Sequence, residues 1–338
     1  MSTADPVSPL KGRNTVLLII LAVVSIAAII GANILGKWRA FSSRPGPLAE
    51  VSSVVIKRGQ SVRAIAEQLE AAKIIADADT FRFGARFFSG SAPIKAGEFS
   101  VPAGATMAEV MAVLQSANAV QYRLLIREGI TVAQALKSVT GYKRLSGVIA
   151  GDYPEGSLLP DTYFYVRGEA RDAVLQRMRD AMDEELDAAW RARRDADQLK
   201  SPEELLVMAS IIEKETGRDE EMKMVSGVFH NRLRKGMKLQ SDPTVIYGIS
   251  QGPLGRSLKR KDVRTPTPYN TYTIKGLPPG PIALPSREAL IAAGQPAKTD
   301  ALFFVVDGSG GHVFAATYAE HKANIRKWRQ KVRARRNK

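Results

Sequence analysis

The feature that most constrains this chain is Thr15 to Leu35, "TVLLIILAVVSIAAIIGANIL", 21 residues without a charge. At about 1.5 Å rise per residue, a helix of that length crosses a hydrocarbon layer of about 30 Å. A soluble amphipathic helix keeps a polar stripe, whereas this segment is apolar on every face. It is longer than the apolar core of a secretory signal peptide, and "GANILGKWRA" offers a poor cleavage site. The pattern predicts an uncleaved membrane span over 15–35, after a tail (1–14) and before a linker (36–50) holding "SSRPGPLAE". Lys11 and Arg13 precede the span while Lys37 and Arg39 follow it, so the flanking charges are divided. The shortness of the leading tail favours a cytoplasmic N-terminus, with the bulk of the chain on the far side.

The 338 residues leave room for roughly two further compact units, and 45% apolar content suffices for their cores. The formal charge of +15 suits anionic partners: acidic lipid, an acidic polymer or nucleic acid. Nucleic acid is the poorest fit, because the basic residues are scattered except in the terminal "KVRARRNK". The absence of cysteine removes disulfides, thiolate nucleophiles and Cys-ligated zinc. With three histidines and no HExxH, no metal site and no cofactor are expected.

A strand, a glycine turn, a Ser or Thr cap and an amphipathic helix recur three times. "VIKRGQSVRAIAEQL" carries Gly59, Ser61, Ile65 and Leu69, and "VPAGATMAEVMAVL" carries Gly104, Thr106, Val110 and Leu114 at the same offsets. "IREGITVAQALKSV" repeats the opening with Gly129 and Thr131. Thr106 with Glu109, and Thr131 with Gln134, read as capping boxes. Further on, a charged helix is expected over Asp172 to Asp197, and a second from Ser201, where "SPEE" supplies a cap, a first-turn proline and two acids. "ALFFVVDGSGGHVFAATY" reads as a hairpin before a final helix. Helices and strands mix without a long βαβ alternation, so the expected class is α+β.

The helix from Ser201 ends in "MASIIEKETG", with carboxylates at Glu213 and Glu215. At about 100° per residue, Leu205, Met208, Ala209 and Ile212 form one stripe, and Glu215 lies beside it. Glu213 falls roughly 160° away. Desolvation beside apolar groups raises a carboxyl pKa, and a carboxyl protonated near neutrality suits a general acid. A solvated helix end paired with Lys214 or Arg218 fits the same spacing, and spacing alone favours it. "GISQG" (Gly248 to Gly252) offers a rival nucleophile at Ser250, with "TVIY" as the preceding strand; "GPLG" follows where that motif needs a helix. "LQSDPTVIYG", "RTPTPYNTYTIKGLPPGPIALPS" and "GHVFAATYAEH" read as proline-fixed loops whose Tyr, Asn, Asp and Thr side chains suit a carbohydrate cleft.

Two resemblances follow from these motifs. "GQSVRAIAEQL" resembles the LysM-like glycan-binding modules of cell-wall proteins, over 51–119. The anchor, "EGSLLPDTYFY", "MASIIEKETG", "VFHNRLRKGMKLQSDPTVIYG", "TPYNTYTIKGLPPGPIALPS" and "GHVFAATYAEH" together resemble the YceG-like (MltG) family of endolytic murein transglycosylases. The resemblance implies a catalytic domain over 120–330 and a basic tail over 331–338. It assigns the catalytic glutamate to Glu215, leaving Glu213 a structural or electrostatic neighbour. It implies cleavage of the MurNAc–GlcNAc β-1,4 bond of nascent glycan strands, leaving 1,6-anhydro ends. Asp242, Tyr247, Tyr269, Asn270, Tyr272 and His312 would line the cleft, with Asp161 and Thr162 contributing; His230 carries no role. The implied partners are peptidoglycan, the cell (inner) membrane and cell-wall synthesis enzymes, with the catalytic domain extracytoplasmic. A hydrolytic muramidase and a non-catalytic peptidoglycan-binding scaffold are the alternatives.

Overall fold

The apolar run forms the centre of a single long helix, α1 (Leu10–Ser42). The computed structural model describes residues 10–90, 92–194, 196 and 198–336, so most of the expected leading tail lies outside the described residues. From Thr15 onward α1 is long and apolar enough to cross a membrane, and none of its apolar window is buried inside the protein. The expected linker is corrected at its start, because the helix runs on to Ser42 before the chain turns. Phe41 explains the extension. It is 3% exposed and packs against Phe81 and Phe88, at ring-centroid distances of 6.4 and 6.2 Å.

The chain divides into two compact units, one running to Gln121 with Val166–Gly168, the other holding Tyr122–Tyr165 and Glu169 onward. In the first, β1 (Ser52–Ile56) pairs antiparallel with β2 (Gly97–Val101), from Ser52 opposite Val101 to Ile56 opposite Gly97. Between them lie α2 (Val62–Ala71) and α3 (Ala78–Phe87), and α4 (Met107–Gln115) follows β2. Ser61 caps α2 by accepting from Ala64 N, and the Thr106–Glu109 capping box opens α4. Ile65, Leu69, Phe81, Phe99, Val110 and Leu114 fill the core. Two of the three sequence echoes therefore pack into one unit.

The third echo opens the second unit, as β3 (Gln121–Leu125) and α5 (Val132–Gly141) with its Thr131–Gln134 capping box. β3 pairs with β4 (Thr162–Val166). The charged helix α6 (Arg171–Arg191) is shorter than expected, because after Ala192 the backbone turns and Arg194 N donates to Gly294 O at 2.8 Å. Then come α7 (Pro202–Glu215), α8 (Asp219–Arg234), α9 (Asp242–Ser250), α10 (Arg260–Arg264) and α11 (Arg287–Gly294). The hairpin forms as expected, β5 (Phe303–Val306) antiparallel to β6 (His312–Ala315). α12 (Tyr318–Arg336) takes in the expected basic tail as far as Arg336. The class is mixed helix and strand, with two-stranded sheets throughout the described residues.

α7 occupies the centre of the second unit's main core. Leu205, Met208, Ala209, Ile211 and Ile212 are each fully buried, and every residue of 207–212 is buried, so the helix has no solvent face there. Ser210 keeps that burial satisfied: its hydroxyl donates to Val207 O at 2.7 Å and accepts from Ile282 N at 3.1 Å. Burying each large apolar side chain contributes about 1.5–3 kcal/mol. Such anchoring holds the C-terminal turn of α7 in a defined place.

One close approach ties α1 to the first unit. A Cβ on Gly84 would lie 2.1 Å from Cδ2 of Phe41, well inside van der Waals contact. Gly84→Ala is expected to destabilise the first unit by about 1–3 kcal/mol through overpacking. Limited proteolysis should then cut first between Ser42 and α3, while the second unit keeps its protection.

Candidate active site

Glu215 is the last residue of α7, a helix whose middle turns are packed in the core. Its Oε1 accepts the hydroxyl proton of Ser241 at 2.5 Å. Oε2 takes no hydrogen bond from any described residue. Desolvation pushes the Glu215 carboxyl up to about 7, against the opposing effect of the Ser241 hydroxyl; the nearby Asp242 raises it and Arg232 lowers it. The carboxyl therefore changes protonation state near neutral pH. The expected pairing of Glu215 with Lys214 or Arg218 is not formed: Lys214 donates to Gly129 O at 2.8 Å and Arg218 to Ser309 O at 3.0 Å.

Ser241 was not singled out by the sequence. It stands at the N-cap position of α9, yet its side chain makes no capping bond, because the hydroxyl is given to Glu215. Its backbone is locked from the other side. Ser241 N donates to Thr271 Oγ1 at 2.9 Å, and Thr244 Oγ1 donates to Ser241 O at 2.7 Å. The Thr244 and Thr271 hydroxyls lie 2.8 Å apart, and since the Thr244 proton is committed, Thr271 is the donor. Thr244 and Thr271 are both fully buried. Gln240, at φ 51°, turns the chain into this arrangement and donates its N–H to Thr271 O.

The segment "LQSDPTVIYG" is thus corrected from a loop to a loop entering a helix. Asp242 and Pro243 start α9, with proline where its missing N–H costs nothing. Asp242 Oδ1 accepts the Tyr272 hydroxyl at 2.7 Å, and burial beside these carboxylates holds the Tyr272 phenol far above its ordinary value. Arg232 is 7% exposed; Nε donates to Leu302 O at 2.7 Å and Nη1 to Leu239 O at 2.5 Å. It brings a fixed positive charge toward Glu215 and Tyr272.

The remaining expected residues take different parts. Tyr247 and Tyr269 pack edge to face at 4.9 Å, and the Tyr247 hydroxyl donates to Glu155 Oε2 at 3.4 Å. Glu155 also accepts from Val132 N at 2.9 Å, and burial raises its carboxyl. Tyr247 lines an apolar-walled cavity of about 310 Å³ with Lys214, Pro243, Leu254 and Ile282. Asn270 is fully buried and spent on its own loop: Nδ2 donates to Val263 O and Thr265 O, and Oδ1 accepts from Tyr272 N at 2.9 Å. A ligand contact from Asn270 is therefore corrected to a role in shaping the loop. His312 Nδ1 lies 2.7 Å from Glu221 Oε2, and Thr216, next to Glu215, donates to that same oxygen at 3.5 Å. Asp161 and Thr162 line an open cavity of about 580 Å³ whose walls include Glu128, Glu213 and Glu288 but not Glu215.

Two further expectations are settled by the geometry. Glu213 is a half-buried structural carboxylate: its Oε2 accepts both the Ser286 N–H (3.0 Å) and the Ser286 hydroxyl (2.6 Å), fixing the start of α11. Burial raises its carboxyl too, but both bonds work to lower it again. Ser250 is at the end of α9, so no strand precedes it, and its hydroxyl donates to backbone carbonyls of Ile246 and Gly252. No nucleophile elbow is formed. Among the described residues no cluster of side chains is arranged to hold a metal ion.

The YceG-like family model matches residues 54–327. The chain belongs to the YceG-like family. A protein named endolytic murein transglycosylase from Bacillus subtilis is 28% identical over 303 residues, covering 80% of this chain and 82% of that protein. Proteins of the same name from two Streptococcus pneumoniae strains are 34% identical over 177 residues, 51% of this chain. That match spans 31% of the pneumococcal proteins' length. A YceG-like protein of Listeria monocytogenes has been solved; it is 29% identical, with a TM-score of 0.49 over 81% of this chain and 99% of that one.

The raised carboxyl has a measurable cost. Between about 4.5 and about 7 the folded state holds a proton at Glu215 that the unfolded state has lost. Stability therefore falls as pH rises through that window and levels off above it. Glu215→Gln is expected to melt higher than the wild type above about pH 7. The gain should vanish below about pH 4.5, as followed by thermal melts across pH.

Proposed function

We propose that this chain is an endolytic peptidoglycan lytic transglycosylase, a carbon–oxygen lyase acting on polysaccharide, with Glu215 as its acid and base. The observation that carries the reading is the carboxyl of Glu215, raised to about 7 and held through one oxygen by Ser241. The names of the relatives support the same activity.

In the proposed reaction, protonated Glu215 gives its Oε2 proton to the glycosidic oxygen as the MurNAc C1–O4 bond to GlcNAc breaks. The resulting carboxylate then takes the proton from the C6 hydroxyl of the same MurNAc while O6 closes on C1. The product is a 1,6-anhydro end, the proton returns to Glu215, and no water is consumed. A pKa near neutrality suits both halves of this cycle. Paired carboxylates about 5–10 Å apart, as in hydrolytic glycosidases, are not needed, because an internal hydroxyl replaces water. Ser241 and Arg232 position and tune the acid. Asp242, Tyr272, Tyr247, Tyr269 and His312 form the walls of the glycan cleft, with Asn270 shaping its loop.

The wider assignment follows from the same reading. Residues 51–119 act as a LysM-like glycan-binding module, supported by the strand–turn–helix units at Gly59 and Gly104. α1 anchors the protein in the inner membrane as a single span, with the N-terminus cytoplasmic and both units periplasmic. Cleavage of nascent strands there sets their length, beside the enzymes of cell-wall synthesis.

Glu215→Gln is expected to abolish glycan cleavage while glycan binding persists, and mass spectrometry of wild-type products should show ends lacking one water. Reducing ends would instead mark a hydrolytic muramidase, and turnover unchanged in the variant would leave a binding scaffold. Ser241→Ala removes a bond that lowers the Glu215 pKa. The alkaline limb of its kcat/KM profile is therefore expected at higher pH than in the wild type. Helix α9 should keep its stability, since Ser241 makes no cap bond to lose.

A further inference from the structure

Outside the candidate active site, the first unit carries an open cavity of about 570 Å³ immediately beyond the apolar part of α1. Its walls come from three helices: Lys37 of α1, Val62 and Arg63 of α2, and Asp79, Arg82, Phe83, Arg86 and Phe87 of α3. Four cations face one acid. Arg82 pairs with that acid, Asp79, at 2.9 Å, and Arg63 with Glu67 at 2.8 Å, both in exposed ion pairs. Lys37 Nζ lies 5.0 Å from the centroid of Phe83, and the Arg86 guanidinium lies 5.6 Å from that of Phe87. Phe87 is 60% exposed, Trp38 44% and Val62 43%, large apolar surfaces left in solvent beside fixed positive charge.

The position of this patch gives it meaning. Lys37 follows the last residue of the uncharged run by two positions, about 3 Å along the helix. The wedge of Phe41 against Phe81, Phe88 and Gly84 holds α3 to the end of α1, so the cavity travels with the span. A membrane surface at the end of α1 would meet the cavity that Lys37 shares with the three arginines. Cations interleaved with Trp and Phe at that depth match phosphate groups above and acyl–headgroup boundary below.

We propose that this cavity and its rim are a docking surface for anionic phospholipid headgroups, which seats the first unit on the bilayer beside its own anchor. The inference rests on the reading of α1 as a membrane span, and is independent of the chemistry at Glu215. It also gives Lys37, beyond the span, a role that the flanking charges alone leave open.

The test uses the full chain in nanodiscs of phosphatidylcholine alone or doped with phosphatidylglycerol, read by amide hydrogen exchange. Amides of α3 are expected to exchange roughly fivefold slower or more in the anionic discs, and added salt should remove the difference. Arg82→Gln with Arg86→Gln should abolish the lipid dependence, whereas Lys57→Gln with Arg58→Gln should keep it. Equal exchange in the two lipids, or protection lost in the control pair, overturns the proposal. Equal protection by inorganic phosphate in phosphatidylcholine discs would overturn the lipid source in favour of a free-anion site. Failure to enter discs at all would overturn the anchoring reading and this one together; entry without lipid dependence would overturn only this one.

Discussion

The hydrogen bond from Ser241 to Glu215 is the contact on which the candidate site turns. It joins the end of the core helix α7 to the start of α9, and it does so with a hydroxyl withdrawn from capping. A cap hydroxyl satisfies one orphan amide at a helix N-terminus and contributes about 1 kcal/mol when used that way. Here the hydroxyl is oriented by Thr271 and Thr244 on its own backbone, so it meets the carboxyl in one geometry. The bond lowers the pKa of Glu215 while burial raises it, and burial prevails. What results is a carboxyl near neutrality with one oxygen held and the other free of described protein donors.

The neighbouring carboxylates differ both in how strongly burial raises them and in the partners they meet. Glu213 and Glu215 are both raised by burial. Glu213 accepts two bonds on one oxygen from Ser286, the residue that caps α11, and is thereby bound into the frame. Glu215 accepts one, and stands near an acid and a buried arginine whose effects oppose each other. Two carboxyls two residues apart thus sit in different environments because different segments come to meet them.

Local chemistry was the most legible part of the sequence. The Thr106–Glu109 and Thr131–Gln134 boxes, the Ser201 cap with Pro202, and the Gly-rich hairpin turn each depend on neighbours within a few residues. The helical wheel ranked Glu215 above Glu213 by placing it beside a single stripe. α7 in fact is buried on all sides over its middle turns, so the stripe was narrower than the true buried surface. "SDP" reads as part of a binding loop from the proline and aromatics around it, although Ser-Asp-Pro is equally a helix start. Nothing local marks Arg232 as buried, since its partners are carbonyls about 70 and 7 residues away in sequence.

By itself the sequence determined what short-range physics controls: a charge-free run long enough to cross a bilayer, the positions of caps and turns, the mixed class, and the motif order of the family. Tertiary structure alone decided which groups meet. It placed Ser241 on Glu215, spent Asn270 within its loop, bound Glu213 to Ser286, and gathered Lys37 with the arginines of α2 and α3. The reason is physical. A cap or a turn is settled by the residues beside it, whereas a desolvated pKa depends on atoms brought in from distant parts of the chain.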